Sequence, residues 1–292
     1  MMEVSGKTKV FCVIGDPIAH SLSPVMHNAA FKHLKIDAVY VAFNVKDGML
    51  QDAVKGVRSL GICGMNVTMP HKTAIVNYLD ESDATSKFVG AVNTVLNAGG
   101  KLIGFNTDGI GALKALEENG VKPRGKKFLL LGAGGAGKAI AFQLAQEADE
   151  LVILNRDANK ARVLADTLRK RFNKKVVGES LSHSVLGNWI RDVDVLINAT
   201  SVGMNPHPNE TLVEKSLLRP ELVVMDIIYD PVETRLLKDA KSVGSKVIYG
   251  IEMLVFQGAA SFAIWFNRSA PVNVMRKAVM EKLQAGGLNL ER

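Results

Sequence analysis

The sequence predicts an α/β fold of two domains with a cleft between them, and three observations lead there. Its 292 residues are about the length of two ordinary domains. Short apolar runs alternate with helix-like stretches, the pattern of parallel strands joined by right-handed crossovers. At mid-chain a glycine-rich turn, Gly132-Ala133-Gly134-Gly135-Ala136-Gly137, separates an apolar run from a helix-like stretch.

The first domain reads as an open, mostly parallel α/β unit. Residues 10–15 form a strand, a polar loop follows, and Pro24 opens a helix over 24–34. Strands at 39–45 and 62–68 enclose a helix at 48–60, and a short helix follows at 72–79. Residues 92–96 and 102–105 flank Asn97-Ala98-Gly99-Gly100, a hairpin signal. A helix at 108–119, ended by Gly120 and Pro123, leads into the second domain.

In the second domain the strand 126–131 meets the glycine turn, then a helix from Lys138 and a strand at 151–154 ending in Asn155-Arg156. This is the strand–turn–helix–strand unit of a Rossmann-type dinucleotide-binding domain. The first glycine allows the turn, the second admits a pyrophosphate, and the third lets helix and strand pack closely. NAD-preferring domains usually place an acid at the end of the second strand. Asn155 and Arg156 stand there instead, and a guanidinium suits a 2′-phosphate, so the expected cofactor is NADP(H). The same letters resemble a nucleoside triphosphatase loop with Lys138 as its lysine, but Ala139 replaces the hydroxyl that would hold magnesium. Asp157 caps a helix whose Ala161, Leu164, Ala165, Leu168 and Phe172 share one face. Further strands are expected at 193–199, 222–228 and 247–249, and helices at 251–266 and 272–284. The last two helices return to the first domain, giving a substrate-binding domain of 1–107 plus 251–292 and a nucleotide-binding domain of 108–250.

Composition is that of a soluble globular protein, 47% hydrophobic and 22% charged. The net charge of +7 suits anionic ligands, but the basic residues are scattered apart from Arg169-Lys170-Arg171 with Lys174-Lys175. No nucleic-acid motif accompanies them. Cys12 and Cys63 lie in apolar runs and read as buried thiols, not a disulfide. No run reaches membrane-spanning length and no leader is evident, so the expected address is cytoplasmic. His20, His27, His33, His71, His183 and His207 lack metal-ligand spacing, and no metal is expected; His27 and His33 share one helix and read as packing or surface residues.

Ligands of open parallel sheets collect at the carboxyl ends of strands. In the first domain those ends carry Ser21 and Ser23, then Asn66, Thr68 and Lys72, then Asn93, Thr107 and Asp108. The set suits a small polyhydroxylated molecule. Ser23 before Pro24 could equally be a helix cap, and Thr107 or Asp108 could cap the next helix. Lys72 would fall in the first turn of a helix begun by Pro70, where the dipole opposes a cation. That placement points to proton transfer. With no metal set and no nucleophile elbow, hydride transfer is the remaining chemistry.

Several segments, taken in order, resemble the shikimate dehydrogenase family: Ser21-Leu22-Ser23-Pro24, Asn66-Val67-Thr68-Met69-Pro70-His71-Lys72, Gly90-Ala91-Val92-Asn93-Thr94, Gly104-Phe105-Asn106-Thr107-Asp108-Gly109, Asn198-Ala199-Thr200-Ser201-Val202-Gly203-Met204, Asp226-Ile227-Ile228-Tyr229 and residues 250–257. The resemblance implies reversible reduction of 3-dehydroshikimate to shikimate by NADPH, in the pathway to chorismate and the aromatic amino acids. It implies that Ser21 and Ser23 hold the substrate carboxylate, and that Asn66, Thr68, Asn93, Asp108 and Gln257, with Thr107 nearby, bind ring hydroxyls. Lys72 and Asp108 would be the catalytic pair. Asn155, Arg156 and Lys160 would take the 2′-phosphate, and Thr200, Tyr229, Gly250 and Met253 the nicotinamide end. Lys160 departs from the arginine of many relatives, which softens nucleotide discrimination. A dual quinate/shikimate dehydrogenase and a non-catalytic NADP sensor remain as alternatives. The expected partners are this small molecule and no macromolecule beyond a possible second copy, as monomer or homodimer.

Overall fold

A computed structural model of the chain describes residues 4–285. They form two compact units, one running to Thr107 and resuming at Val255, the other Asp108–Leu254.

The first unit contains β1 (Lys9–Gly15), α1 (Ser23–His33), β2 (Ala38–Asn44), α2 (Leu50–Ser59), β3 (Gly64–Val67), β4 (Glu81–Ser82), α3 (Ala84–Val89), β5 (Thr94–Ala98) and β6 (Lys101–Phe105). Its sheet has the order β2-β1-β3-β5-β6-β4. β2, β1 and β3 run parallel. β5 opposes both its neighbours, because its link to β6 is a tight turn through Gly99 and Gly100, at φ 64 and 95. The sheet is therefore mostly parallel, as its alternating pattern predicts. Successive strand residues face opposite sides. Cys12 and Ile14 pack with Leu50, Val54 and Val57 of α2. Phe11 turns the other way and meets Phe31, Trp265 and Phe266, at ring-centroid distances of 5.6, 5.1 and 5.1 Å.

The second unit starts with α4 (Asp108–Glu118), then β7 (Lys127–Leu131), α5 (Gly135–Glu147), β8 (Glu150–Asn155), α6 (Ala158–Phe172), β9 (Lys175–Ser180), α7 (His183–Ile190), β10 (Val195–Asn198), β11 (Val223–Asp226), α8 (Arg235–Ser242) and β12 (Lys246–Ile248). The strand order β12-β11-β10-β7-β8-β9 is all parallel. Counted from β7, this is the doubly wound order 3-2-1-4-5-6 of dinucleotide-binding domains. The basic cluster at the end of α6 faces the negative end of that helix's dipole, and Arg171 lies 5.3 Å over the Phe142 ring.

α9 (Gly250–Phe266) and α10 (Val272–Ala285) are the last two elements of the described residues. α9 is apolar nearly all round, the pattern of a helix buried on most sides. A Cβ on Gly64 would lie 2.5 Å from Trp265 Nε1, so only glycine lets the indole rest on β3 and donate to the Val95 carbonyl at 3.0 Å.

The structure corrects several sequence expectations. The short helix at 72–79 is a five-residue 3-10 helix, Ala74–Tyr78. The helix after the glycine turn begins at Gly135, not Lys138. Cys63 precedes β3 and is partly exposed, whereas Cys12 is buried. β4, α3, β9, α7 and α8 have no counterpart in the sequence reading. β4 has two residues and α3 six, too short for a period to show, and β9 (KVVGES) is mostly half-buried. Their helices do begin with readable caps: Asp83, Ser182 and Thr234 each accept a backbone N–H.

His27 is a packing residue of an unusual kind. It is fully buried and stacked on Tyr40 at 4.5 Å and 15°. Neither ring nitrogen has a hydrogen-bond partner among the described residues. Burial pushes its pKa down to about 3, so the fold holds it neutral. The unfolded chain takes up this proton as pH falls below about 6.5, and stability is lost progressively from there toward pH 3. Between pH 7 and pH 5 this amounts to about 2 kcal/mol. In His27→Leu, the difference in unfolding free energy between those two pH values should shrink by about that amount. Urea titrations at both pH values check this; an unchanged difference would rule out His27 as the source.

Candidate functional site

The order of each sheet marks where ligands collect. In the first unit the chain steps from β1 to β2 on one side and then crosses back to β3 on the other, and in the second it steps from β7 through β8 and β9 and crosses back to β10. The crevice outside the carboxyl ends at such a switch point is the usual binding place. The loops after β1 and β3 carry Ser21, Ser23, Thr68 and Lys72, and those after β7 and β10 carry the glycine turn and Thr200.

In the second unit the glycine turn is set by its contacts. Gly132 has φ 106, and a Cβ there would lie 2.8 Å from the Ala199 carbonyl. A Cβ on Gly137 would lie 2.2 Å from the Gly132 carbonyl, whereas nothing lies within 4 Å of one on Gly134 or Gly135. Ala133 N–H donates to Asn155 Oδ1 at 3.1 Å, and Asn155 Nδ2 donates to the Asp157 carbonyl at 3.0 Å. The Asn155 amide thus clamps the glycine turn to the end of β8. Ala136 lies in the first turn of α5, which no side chain caps. Arg156 is exposed. Lys160 sits 3.9 Å from Asp157.

The other end of this sheet is organised by Asp226. Its carboxyl accepts from Asn198 Nδ2 at 3.1 Å, Ile228 N–H at 3.1 Å and Thr234 Oγ1 at 2.8 Å. Burial nevertheless pushes its pKa up to about 6. Asn198 Oδ1 in turn accepts from the Thr200 hydroxyl at 2.7 Å. Tyr229 is half-buried and its phenol is raised by burial and by the Asp230 charge. A Cβ on Gly250 would fall 2.2 Å from the Ile228 carbonyl, so glycine alone lets α9 start against the end of β11. Met253, on the first turn of α9, is buried.

The first unit gathers amides and hydroxyls. Asn66 accepts from Tyr40 Oη at 2.7 Å. Its Nδ2 faces the Asn93 carbonyl, Thr94 Oγ1 and Ser261 Oγ at 3.0, 3.1 and 3.0 Å. Two N–H groups facing three oxygens leave this amide committed to the protein. Asn93 Oδ1 accepts from Thr107 N–H at 2.8 Å, while its Nδ2 donates to Thr107 Oγ1 at 2.9 Å and faces Gln257 Oε1 at 3.4 Å. Asn93 and Thr107 are buried and Gln257 is half-buried. Tyr40 and Ser261 belong to this cluster, yet sequence reasoning missed them; Thr94 stands beside Asn93 among the polar residues that the sequence does point to. Ser261 had one available signal: it is the hydroxyl one turn after Gln257 on a nearly apolar helix, and it donates to the Gln257 carbonyl at 3.0 Å.

The serines exchange their expected places. α1 begins at Ser23 and has no side-chain cap. Ser23 is buried. Ser21, for which no structural use was foreseen, accepts the Ser23 N–H at 3.3 Å. Thr68 N–H donates to the Ile14 carbonyl at 2.9 Å, tying the loop after β3 to β1. Lys72 is half-buried in a turn, and its carbonyl accepts Val92 N–H at 2.8 Å, beside Asn93. Because Ala74 starts the 3-10 helix, Lys72 lies outside it, and the helix-dipole reason for singling it out falls away. His71 is structural: it is buried and its Nε2 lies 2.6 Å from the Val45 carbonyl. Asp108 is buried and opens α4 in the second unit. Among the described residues no three His, Cys, Asp or Glu side chains could hold a metal ion, and no helix is long and apolar enough to cross a membrane.

A doubly wound nucleotide-binding unit, joined in one chain to an α/β unit with a buried amide–hydroxyl cluster, defines a two-domain α/β dehydrogenase. Comparison with known proteins makes this specific. Family models match residues 13–95 (shikimate dehydrogenase substrate binding domain), 114–235 (shikimate / quinate 5-dehydrogenase) and 250–280 (shikimate 5'-dehydrogenase C-terminal domain). A Pyrococcus abyssi protein named shikimate dehydrogenase (NADP(+)) is 50% identical over 278 residues, 95% of this chain and all of its own length. A crystal structure of a shikimate dehydrogenase in complex with NADP+ is 44% identical, with a TM-score of 0.89 over 96% of this chain and 97% of its own. The Listeria monocytogenes enzyme, solved with shikimate and NAD, is 40% identical, with a TM-score of 0.88 over 95% and 98%. The chain belongs to the shikimate dehydrogenase family.

The glycine contacts generate a paired test. Gly137→Ala forces a methyl onto a backbone oxygen and should lower stability by about 1–3 kcal/mol. Gly135→Ala meets open space at the start of a helix and should leave stability unchanged or slightly raised. Urea unfolding of both variants measures the contrast, and equal effects would remove the packing explanation.

Proposed function

We propose that this chain reversibly reduces 3-dehydroshikimate to shikimate with NADPH, the substrate held by the first unit and the nucleotide by the second. The observation that carries this reading is the buried cluster of Asn66, Asn93, Thr94, Thr107 and Ser261 at the carboxyl end of the first sheet. Buried polar groups cost free energy unless matched, and a scaffold that fixes so many amides and hydroxyls suits a ring rich in hydroxyls.

The second unit fits the nucleotide on its own evidence. Gly134 and Gly135 leave open space where a pyrophosphate must approach, and the uncapped start of α5 presents its first amides to an anion. Gly132, Ala133, Gly134, Gly135, Ala136 and Gly137 would hold the pyrophosphate. Arg156 and Lys160 would take the 2′-phosphate, with Asn155 bracing the turn between them. Thr200, Tyr229, Gly250 and Met253 would line the nicotinamide end. When bound, the reduced nicotinamide supplies the hydride.

In the first unit, Ser21 and Ser23 bind the substrate carboxylate. Asn93, Thr107 and Gln257 bind ring hydroxyls with Thr68, while Asn66 holds the cluster in register. Lys72 donates a proton to the ketone oxygen in reduction and recovers it in oxidation; Asp108, the first residue of the second unit, is the other member of the proposed catalytic pair. Charge developing on that oxygen is stabilised by the ammonium.

A dual quinate/shikimate specificity is the second reading, favoured by the family model matched over residues 114–235. One spectrophotometric assay decides. Reduced cofactor should accumulate with shikimate and NADP; accumulation with quinate as well supports the dual reading, and none with either would remove the proposal. Within that assay, Lys72→Ala should lower kcat by about 10²-fold or more with modest change in KM, the scale of general acid–base catalysis. Near-normal turnover would exclude Lys72 as the proton donor. Arg156→Ala should weaken NADPH far more than NADH, and equal losses in the two dissociation constants would refute a 2′-phosphate role.

A further inference from the structure

β8 ends at Asn155, and the next two residues carry opposite charges, Arg156 and Asp157. Arg156 is exposed. Asp157 is the N-cap of α6: Oδ1 accepts from Asn159 N–H at 3.1 Å and Lys160 N–H at 3.3 Å. Its Oδ2 lies 3.9 Å from Lys160 Nζ, and the Asp157 side chain keeps 52% of its surface exposed. A helix start that could have received an anion is therefore occupied by the protein's own carboxylate.

We propose that Asp157 is a specificity-determining residue that limits the preference of this chain for NADP(H) over NAD(H). The inference rests on the second unit being the nucleotide-binding unit and goes beyond it. Three effects act in one direction. The carboxylate takes up the first amides of α6, which then cannot serve a 2′-phosphate. It draws the Lys160 ammonium toward itself, reducing what that cation offers a ligand. Its negative charge, one residue from Arg156, repels a phosphate dianion but not a hydroxyl. A carboxylate just past the second strand is also the acceptor that a ribose 2′-hydroxyl uses in NAD-binding domains. Arg156 and Asp157 thus pull the same discrimination in opposite directions. For a carboxylate and a phosphate several ångströms apart at an exposed, salt-screened site, the Coulomb term corresponds to roughly a three- to tenfold change in affinity.

The bland reading is that Asp157 only caps the helix, and the test separates the two. Asn and Ser cap helices about as well as Asp, so Asp157→Asn and Asp157→Ser keep the cap and remove the charge. Thermal melting confirms that both variants are folded. Dissociation constants of NADPH and NADH are then measured for wild type and both variants by nucleotide fluorescence. The expected result is a NADPH-over-NADH affinity ratio raised roughly three- to tenfold in both variants, mainly through tighter NADPH. A ratio unchanged or lowered in the folded variants overturns the proposal. Wild-type protein that binds neither nucleotide sinks both this inference and the nucleotide reading. Wild-type protein that binds nucleotides but leaves shikimate unoxidised sinks only the substrate reading, and the ratio still decides for Asp157.

Discussion

Right-handed crossover is the constraint from which both sites follow. Where the chain leaves a strand to one side and later resumes on its other side, a crevice opens at the carboxyl ends, because the connecting helices lie on opposite faces of the sheet. β1 is such a strand in the first unit and β7 in the second. The chain then needs only to load the following loops with suitable groups. After β1 and β3 it places hydroxyls and Lys72; after β7 and β10 it places glycines and Thr200. Gly15 shows how tightly the first pair of loops is held. A Cβ there would lie 2.4 Å from Thr68 Cγ2, and Asp16 N–H donates to the Met69 carbonyl at 3.0 Å.

Polar groups buried near these crevices are costly in opposite ways. In the first unit the cost is met by mutual satisfaction: Asn66, Asn93, Thr94, Thr107 and Ser261 bond one another. His27 is left without such partners and stays neutral, which makes the first unit sensitive to acid below about pH 6.5. In the second unit Asp226 has three donors, yet its pKa still rises to about 6. A carboxyl raised in the fold favours the native state most fully below its ordinary value near 3.8, and that contribution is lost as pH rises through 6. Between those limits the two groups act with opposite sign, His27 favouring the fold as pH rises and Asp226 as pH falls.

Much of this was legible in the sequence, and the gaps have physical causes. The glycine turn was readable because each glycine answers a distinct steric demand, and Gly137 against the Gly132 carbonyl bears that out. Strand–helix alternation sufficed for both sheets because buried parallel strands are continuous apolar runs. β4, α3, β9, α7 and α8 escaped: α3 and β4 are too short to show a period, and β9 is mostly half-buried, so no continuous apolar run marks it. The cluster around Asn66 was half legible. Its members at strand ends could be found from the carboxyl-end rule, whereas Tyr40 and Ser261 reach it from the middle of a strand and of an apolar helix. Only tertiary packing brings them together.

The hydroxyl and carboxylate groups show where reading from sequence stops. A serine before a proline, an aspartate after a strand and a serine two residues upstream are all good caps by type. The structure uses them differently. Asp157 caps α6, Ser23 is buried, and Ser21 takes the Ser23 N–H. A group spent on backbone amides still carries its charge. That is why a residue such as Asp157 can serve the fold and bias a ligand together, and why removing its charge while keeping its cap distinguishes the two roles.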